Sequence, residues 1–103
     1  MIYFTRTATI SQGQAEKAFE WAVRAADQIN SKFPDANFQV LRRISGPISD
    51  VSWIATFDSL AQFDEWQAGI QSDPEYQQLL AEGRSEGLFV TSSIRDAFFR
   101  TVP

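Results

Sequence analysis

Arg6, Arg42, Tyr3 and the indoles of Trp53 and Trp66 are the side chains of this sequence best suited to chemistry, because it contains neither histidine nor cysteine. Without those two residue types a Ser-His-Asp or Cys-His site, a histidine- or thiolate-held metal and a histidine-ligated haem are all ruled out. What remains is hydrogen bonding, charge and stacking. Arg6 and Arg42 interrupt apolar strand patterns, and an inward guanidinium can steady a carboxylate or enolate oxygen through charge-assisted hydrogen bonds. Tyr3 is a candidate proton donor. The plain alternative for each arginine, and for Arg95, is an ion pair with an acid such as Asp96, Asp50 or Asp58.

Trp53 and Trp66 are able to stack on a planar ligand, as are Phe4, Phe19 and Phe63, with Tyr76 adding a hydroxyl. Equally, such aromatics pack helices onto sheets. Trp21 lies beside its helical stripe and reads as a rim or interface residue. Tyr3, Tyr76 and Ser92 are the hydroxyls able to reach a ligand. Asp64 and Glu65 read as a solvated face, and Asp73 and Glu75 as a helix start, so no metal site is expected.

These residues are positioned by one alternating pattern after another. Over Ile2 to Ile10, Ile2, Phe4, Ala8 and Ile10 alternate with Tyr3, Thr5, Thr7 and Thr9, the period of a strand. Ser11 and Gln14 have the spacing of a capping box. Ala15, Ala18, Phe19, Ala22, Val23, Ala26, Ile29 and Phe33 then recur at helical intervals until Pro34. Asn37 to Ile44 and Val51 to Phe57 read as antiparallel strands joined across Ser45-Gly46-Pro47. Ser59 with Gln62 caps a helix carrying Leu60, Phe63 and Ile70, which breaks near Asp73-Pro74, where a second helical segment starts. Leu88 to Val102 alternates throughout, predicting one long final strand, whose edge a second copy of the chain would cover.

The order β-α-β-β-α-β, with right-handed crossovers, predicts an α+β, ferredoxin-like fold in which a four-stranded antiparallel sheet carries the helices on one face. A length of 103 residues suits a single domain over 1–103, and nine Phe with three Trp supply its core. The net charge of -4 speaks against nucleic acid. No apolar run is long enough to span a bilayer and no signal peptide is evident, so a cytoplasmic location is expected, in keeping with the lack of cysteine.

With W-I-A-T-F-D-S-L-A-Q-F-D-E-W running into S-D-P-E-Y-Q-Q-L-L within this element order, the chain resembles the dimeric α+β barrel superfamily, which includes antibiotic-biosynthesis monooxygenases and NIPSNAP-like proteins. The resemblance implies a homodimer packed sheet to sheet, with a ligand-sized cavity between each sheet and its helices. It departs where monooxygenase relatives commonly carry a histidine early in the second helix, since this helix has none. The functional expectation is a cofactor-free protein binding a small apolar or aromatic molecule in a cavity lined by Phe4, Phe19, Trp53, Phe63, Trp66 and Tyr76. The alternatives are a cofactor-independent monooxygenase or isomerase acting on an aromatic, polyketide-like substrate, with Arg6 or Arg42 stabilising an oxyanion, and a structural or regulatory dimer.

Overall fold

The computed structural model describes residues 1–103. Strand β1 (Ile2–Thr9) leads into helix α1 (Ala15–Lys32), followed by β2 (Gln39–Arg42), β3 (Asp50–Phe57), α2 (Leu60–Gln71), α3 (Pro74–Glu86) and β4 (Arg95–Arg100). The four strands form one antiparallel sheet in the order β2-β3-β1-β4. The expected ferredoxin-like α+β arrangement is therefore present, with its second helix divided in two. No helix is long and apolar enough to cross a membrane.

The sheet has two unlike faces because side chains alternate along each strand. Ile2, Phe4 and Ala8 of β1 share the helix-covered face with Val51, Trp53, Ala55 and Phe57 of β3, and all seven are buried. Tyr3, Thr5, Thr7 and Thr9 project from the opposite face. There Thr9 Oγ1 donates to Asp50 Oδ1 at 2.9 Å, and Arg95 Nη2 donates to Asp50 Oδ2 at 2.8 Å. Arg43 approaches the same carboxylate at 3.6 Å. Asp50 is the one buried charged residue, and this network joins β1, β3, β4 and the segment after β2 around it.

Helix starts α2 and α3 follow their sequence signals. Ser59 Oγ accepts from the Gln62 amide at 3.1 Å, and Asp73 accepts from the Tyr76 amide at 3.0 Å, with Pro74 occupying the first turn. Lys32 at the end of α1 also donates to Asp73 at 2.7 Å, tying two helix ends together. The C-terminus of α3 needs a left-handed residue, supplied by Gly87 at φ 62°. The Leu88 amide then reaches back to the Gly83 carbonyl, and Leu88 is fully buried.

Four local expectations are corrected. Ser11 and Gln14 do not form a capping box: the helix starts at Ala15 without a side-chain cap, and the Gln14 amide donates instead to the Ser11 carbonyl at 3.0 Å. A left-handed Gly13, φ 80°, lets the chain turn there before helix begins. The buried face of α1 is also rotated from the expected stripe. Ala18, Trp21, Ala22, Ala25, Ala26 and Ile29 are buried, whereas Val23 is exposed. Alanine occupies both flanks of this helix, so its pattern fits either rotation, and burial of the Trp21 indole selects one. Finally, the run from Leu88 to Val102 is not a single strand. Phe89 bridges to Ile10, a 3-10 turn over Thr91–Ser93 loops outward, and β4 resumes at Arg95. Ser93 Oγ stabilises the loop by accepting from the Thr9 amide at 2.8 Å. The middle strand is shorter too, Gln39–Arg42 rather than Asn37 to Ile44, because left-handed Asn37 and exposed Ile44 lie outside the ladder.

Close packing between α1 and α3 gives a mutational test. A Cβ at Gly83 would stand 3.0 Å from Trp21 Cε2, tighter than ordinary contact. The ring cannot readily retreat, since its Nε1 donates to the Leu79 carbonyl at 2.9 Å on the same helix. Gly83→Ala should therefore destabilise by about 1–2 kcal/mol despite the better helix propensity of alanine, read as a lower urea midpoint. A higher midpoint would show that the indole has room to move.

Candidate functional site: an aromatic cavity between sheet and helices

Between the covered sheet face and the three helices lies a cavity of about 480 Å³, a size suited to a small organic molecule. Its wall is formed by two aromatic groups. In one, the Trp21 and Trp53 rings meet edge to face at 6.3 Å, and Phe89 lies 5.4 Å and 5.8 Å from them. In the other, Trp66 packs with Phe57 at 5.2 Å, Phe38 at 5.6 Å and Phe63 at 5.9 Å, and Phe4 meets Phe63 in a tilted contact at 5.3 Å. Members of both groups line the cavity, which has Trp53 and Trp66 in its wall.

The indoles differ in how their N–H groups are satisfied. Trp21 Nε1 donates to Leu79, and Trp53 Nε1 donates to the Ala22 carbonyl at a long 3.4 Å. Trp66 Nε1 is buried without any partner. An unmade hydrogen bond at a buried donor costs roughly 1–3 kcal/mol, so this position is held against a standing penalty.

Arg6 is the only charged residue of the lining. It shares the covered face with Phe4 and Ala8, and its register partner on β4 is Asp96. Its Nε and Nη2 donate to the two Asp96 carboxylate oxygens at 2.8 and 2.9 Å. These bonds to Asp96 raise the guanidinium pKa further above its ordinary value, against the opposing effect of burial. Tyr76, on α3, also faces the cavity, and burial raises its phenol pKa although the charge of Arg6 works the other way. Gln67, Gln71 and Gln77 complete the polar lining. No group of three or more His, Cys, Asp or Glu side chains is placed to hold a metal ion.

Of the residues singled out from sequence, Phe4, Arg6, Trp53, Phe63, Trp66 and Tyr76 are brought to this cavity, and Tyr3, Phe19 and Arg42 are not. Tyr3 has the opposite strand parity from Arg6, so it projects from the other side of the sheet. Arg42 and Phe19 find each other instead: the guanidinium carbon lies 4.1 Å from the Phe19 ring centroid, a cation–π contact outside the lining. Arg95 is committed to Asp50. Trp21, expected at a rim, is a buried wall residue, and Phe89 enters the wall because the Thr91–Ser93 loop interrupts the last strand. The parity of Arg6 was the available sequence signal for its placement, whereas no local pattern marks Phe89.

Several solved structures have the same architecture. A NIPSNAP family protein of unknown function from Agrobacterium tumefaciens superimposes with a TM-score of 0.80 at 20% identity, covering 98% of this chain and 87% of that one. An uncharacterized NIPSNAP domain protein from Burkholderia xenovorans gives 0.81 at 14% identity, covering 99% and 95%. The chain shares the ferredoxin-like fold of these proteins. A cofactor-independent oxygenase from Streptomyces nogalater shares it more distantly, with a TM-score of 0.67 at 16% identity over 97% of this chain and 91% of the other. At these identities the likeness concerns the fold. No protein-family model matches the chain, and no curated protein matches it.

Proposed function

We propose that this protein binds a small apolar or aromatic molecule in the cavity between its sheet and helices. The observation that carries this reading is the wall itself: Phe4, Trp21, Trp53, Phe63, Trp66 and Phe89 surround about 480 Å³. Aromatic faces favour a flat hydrophobic guest through burial and offset or edge contacts. The Gln67, Gln71 and Gln77 amides give such a guest an orientation. A thermal-shift series with naphthalene- and anthracene-type compounds tests the reading. Ligand at 100 times its dissociation constant adds about 2.7 kcal/mol, which raises the Tm of a chain of this size by on the order of 10 °C. No shift with any member of the series, at concentrations up to solubility, contradicts it.

A second reading is catalytic. The fold shared with the cofactor-independent oxygenase of Streptomyces nogalater, together with Arg6 and Tyr76 in the cavity wall, supports oxygenation or isomerisation of an aromatic substrate without a cofactor. Arg6 would stabilise an oxyanion, and Tyr76 takes the proton-donor position that Tyr3 cannot reach. Oxygen uptake with hydroxylated aromatics distinguishes oxygenation from binding alone. We further propose a cytoplasmic homodimer in which two open sheet faces meet. Leu41 and Phe99 are 43% and 57% exposed on that face, and burying such aromatic and aliphatic side chains favours association. Light scattering should then report about twice the chain mass of 11.6 kDa, and a value near one chain mass would refute the dimer.

A further inference from the structure

Asp96 engages only one side of the Arg6 guanidinium. Its two oxygens accept from Nε and Nη2, leaving Nη1 without a protein partner. A guanidinium held in this side-on manner retains its end-on pair of N–H groups, one from each terminal nitrogen, in the planar fork that matches a carboxylate. The hydroxyl of Tyr76, which lines the same cavity as Arg6, makes no hydrogen bond within the protein. The Gln67 amide, also in the lining, is likewise free of protein partners. The free Arg6 N–H groups are thus the charged donors of a mostly apolar lining. The occupant is called on to supply oxygen lone pairs.

We propose that the preferred ligand class is aromatic monocarboxylates, with the carboxylate held by the free fork of Arg6 and the ring system lying between the two aromatic groups. This rests on the reading that the cavity takes an aromatic ligand, and it adds the group by which that ligand is selected. The count of charges decides between anions. Arg6 is the sole cation in the lining and already faces Asp96, so a singly charged anion leaves less uncompensated charge there than a phosphate dianion would. A single carboxylate, planar and singly charged, suits both the fork and the remaining apolar wall. Asp96 acts as a positioning residue that fixes the guanidinium plane.

Isothermal titration of the full chain with naphthoate and with naphthamide, its neutral counterpart of nearly equal shape, tests the assignment. Charge-assisted bonds are worth enough to make the carboxylate bind roughly tenfold or more tightly than the amide. In Arg6→Gln the two should bind within about threefold of one another, because the fork is gone while the aromatic wall is intact. Equal binding of the two compounds to the wild-type chain, or a preference for the amide, overturns the carboxylate assignment and leaves the aromatic-cavity reading standing. Binding of neither compound overturns both. The wild-type ratio decides the question even if Arg6→Gln fails to fold.

Discussion

Trp53→Ala should lower the stability of the folded chain by about 3–4 kcal/mol, measured as a fall in the urea midpoint at an unchanged m-value. Trp53 sits in the middle of β3, paired with Arg6 on one side and Val40 on the other, and only 6% of its surface is exposed. Truncation removes its edge-to-face contacts with Trp21 and Phe89 and leaves the Ala22 carbonyl without its indole donor. The cost belongs at the lower part of the range for large aromatic deletions, because one side of the ring already borders the cavity and loses fewer contacts. A loss below about 1 kcal/mol would mean that Trp53 contributes little to the packing between helix and sheet.

The second large effect lies on the opposite face. Asp50→Asn should cost about 1–3 kcal/mol at neutral pH, since the buried carboxylate takes bonds from Thr9 and Arg95 and lies near Arg43. A fully buried ion pair broken on one side would cost more, but Arg95 and Arg43 are about half exposed and can be rehydrated. Burial by itself pushes the Asp50 carboxyl up; the Thr9 and Arg95 hydrogen bonds and the two arginine charges outweigh it and hold the group below the ordinary aspartate range. A folded-state pKa below the unfolded one gives stability that is present above the unfolded value, ~3.9, and is lost as pH falls through the folded value. The gap in unfolding free energy between wild type and Asp50→Asn should therefore shrink on acidification through this window. A gap that stays constant or widens as the solution becomes more acidic would show that the ionised carboxylate is not the source of the stabilisation.

The helix and strand periods made the main architecture legible, along with the starts of α2 and α3, because Ser59, Gln62, Asp73 and Pro74 act through bonds to neighbours a few positions away. The same local reading failed at Ser11, where a turn at Gly13 intervenes. It also failed over the last strand: alternating apolar residues continue through Leu88 to Val102, but the Thr91–Ser93 loop depends on hydroxyl and backbone bonds to β1, which periodicity does not register. That loop shapes the cavity wall, since Phe89 just before it packs on Trp21 and Trp53.

For the site, strand parity carried more information than residue type. Arg6 follows Phe4 and precedes Ala8 on the inward face, so its arrival in the cavity was readable, as was the separation of Tyr3 from it. Arg42 also has the parity of Trp53 through its Val51 pairing, yet β2 is an edge strand and its guanidinium lies over Phe19. Parity alone does not distinguish the centre of a sheet from its edge. The rotation of α1 hid Trp21 for a similar reason, alanines on both flanks making the helix nearly symmetric until a tertiary partner, Gly83, accepted the indole.

All three tryptophans of the chain line the cavity, and that makes a nitrogen–proton correlation spectrum the most direct measure of whether it receives a ligand. Titration with naphthoate should move the indole signals of Trp53 and Trp66 along saturable curves with one shared dissociation constant, since the two rings line the same space from different aromatic groups. Indole signals that stay fixed while the compound is added to its solubility limit would contradict the account.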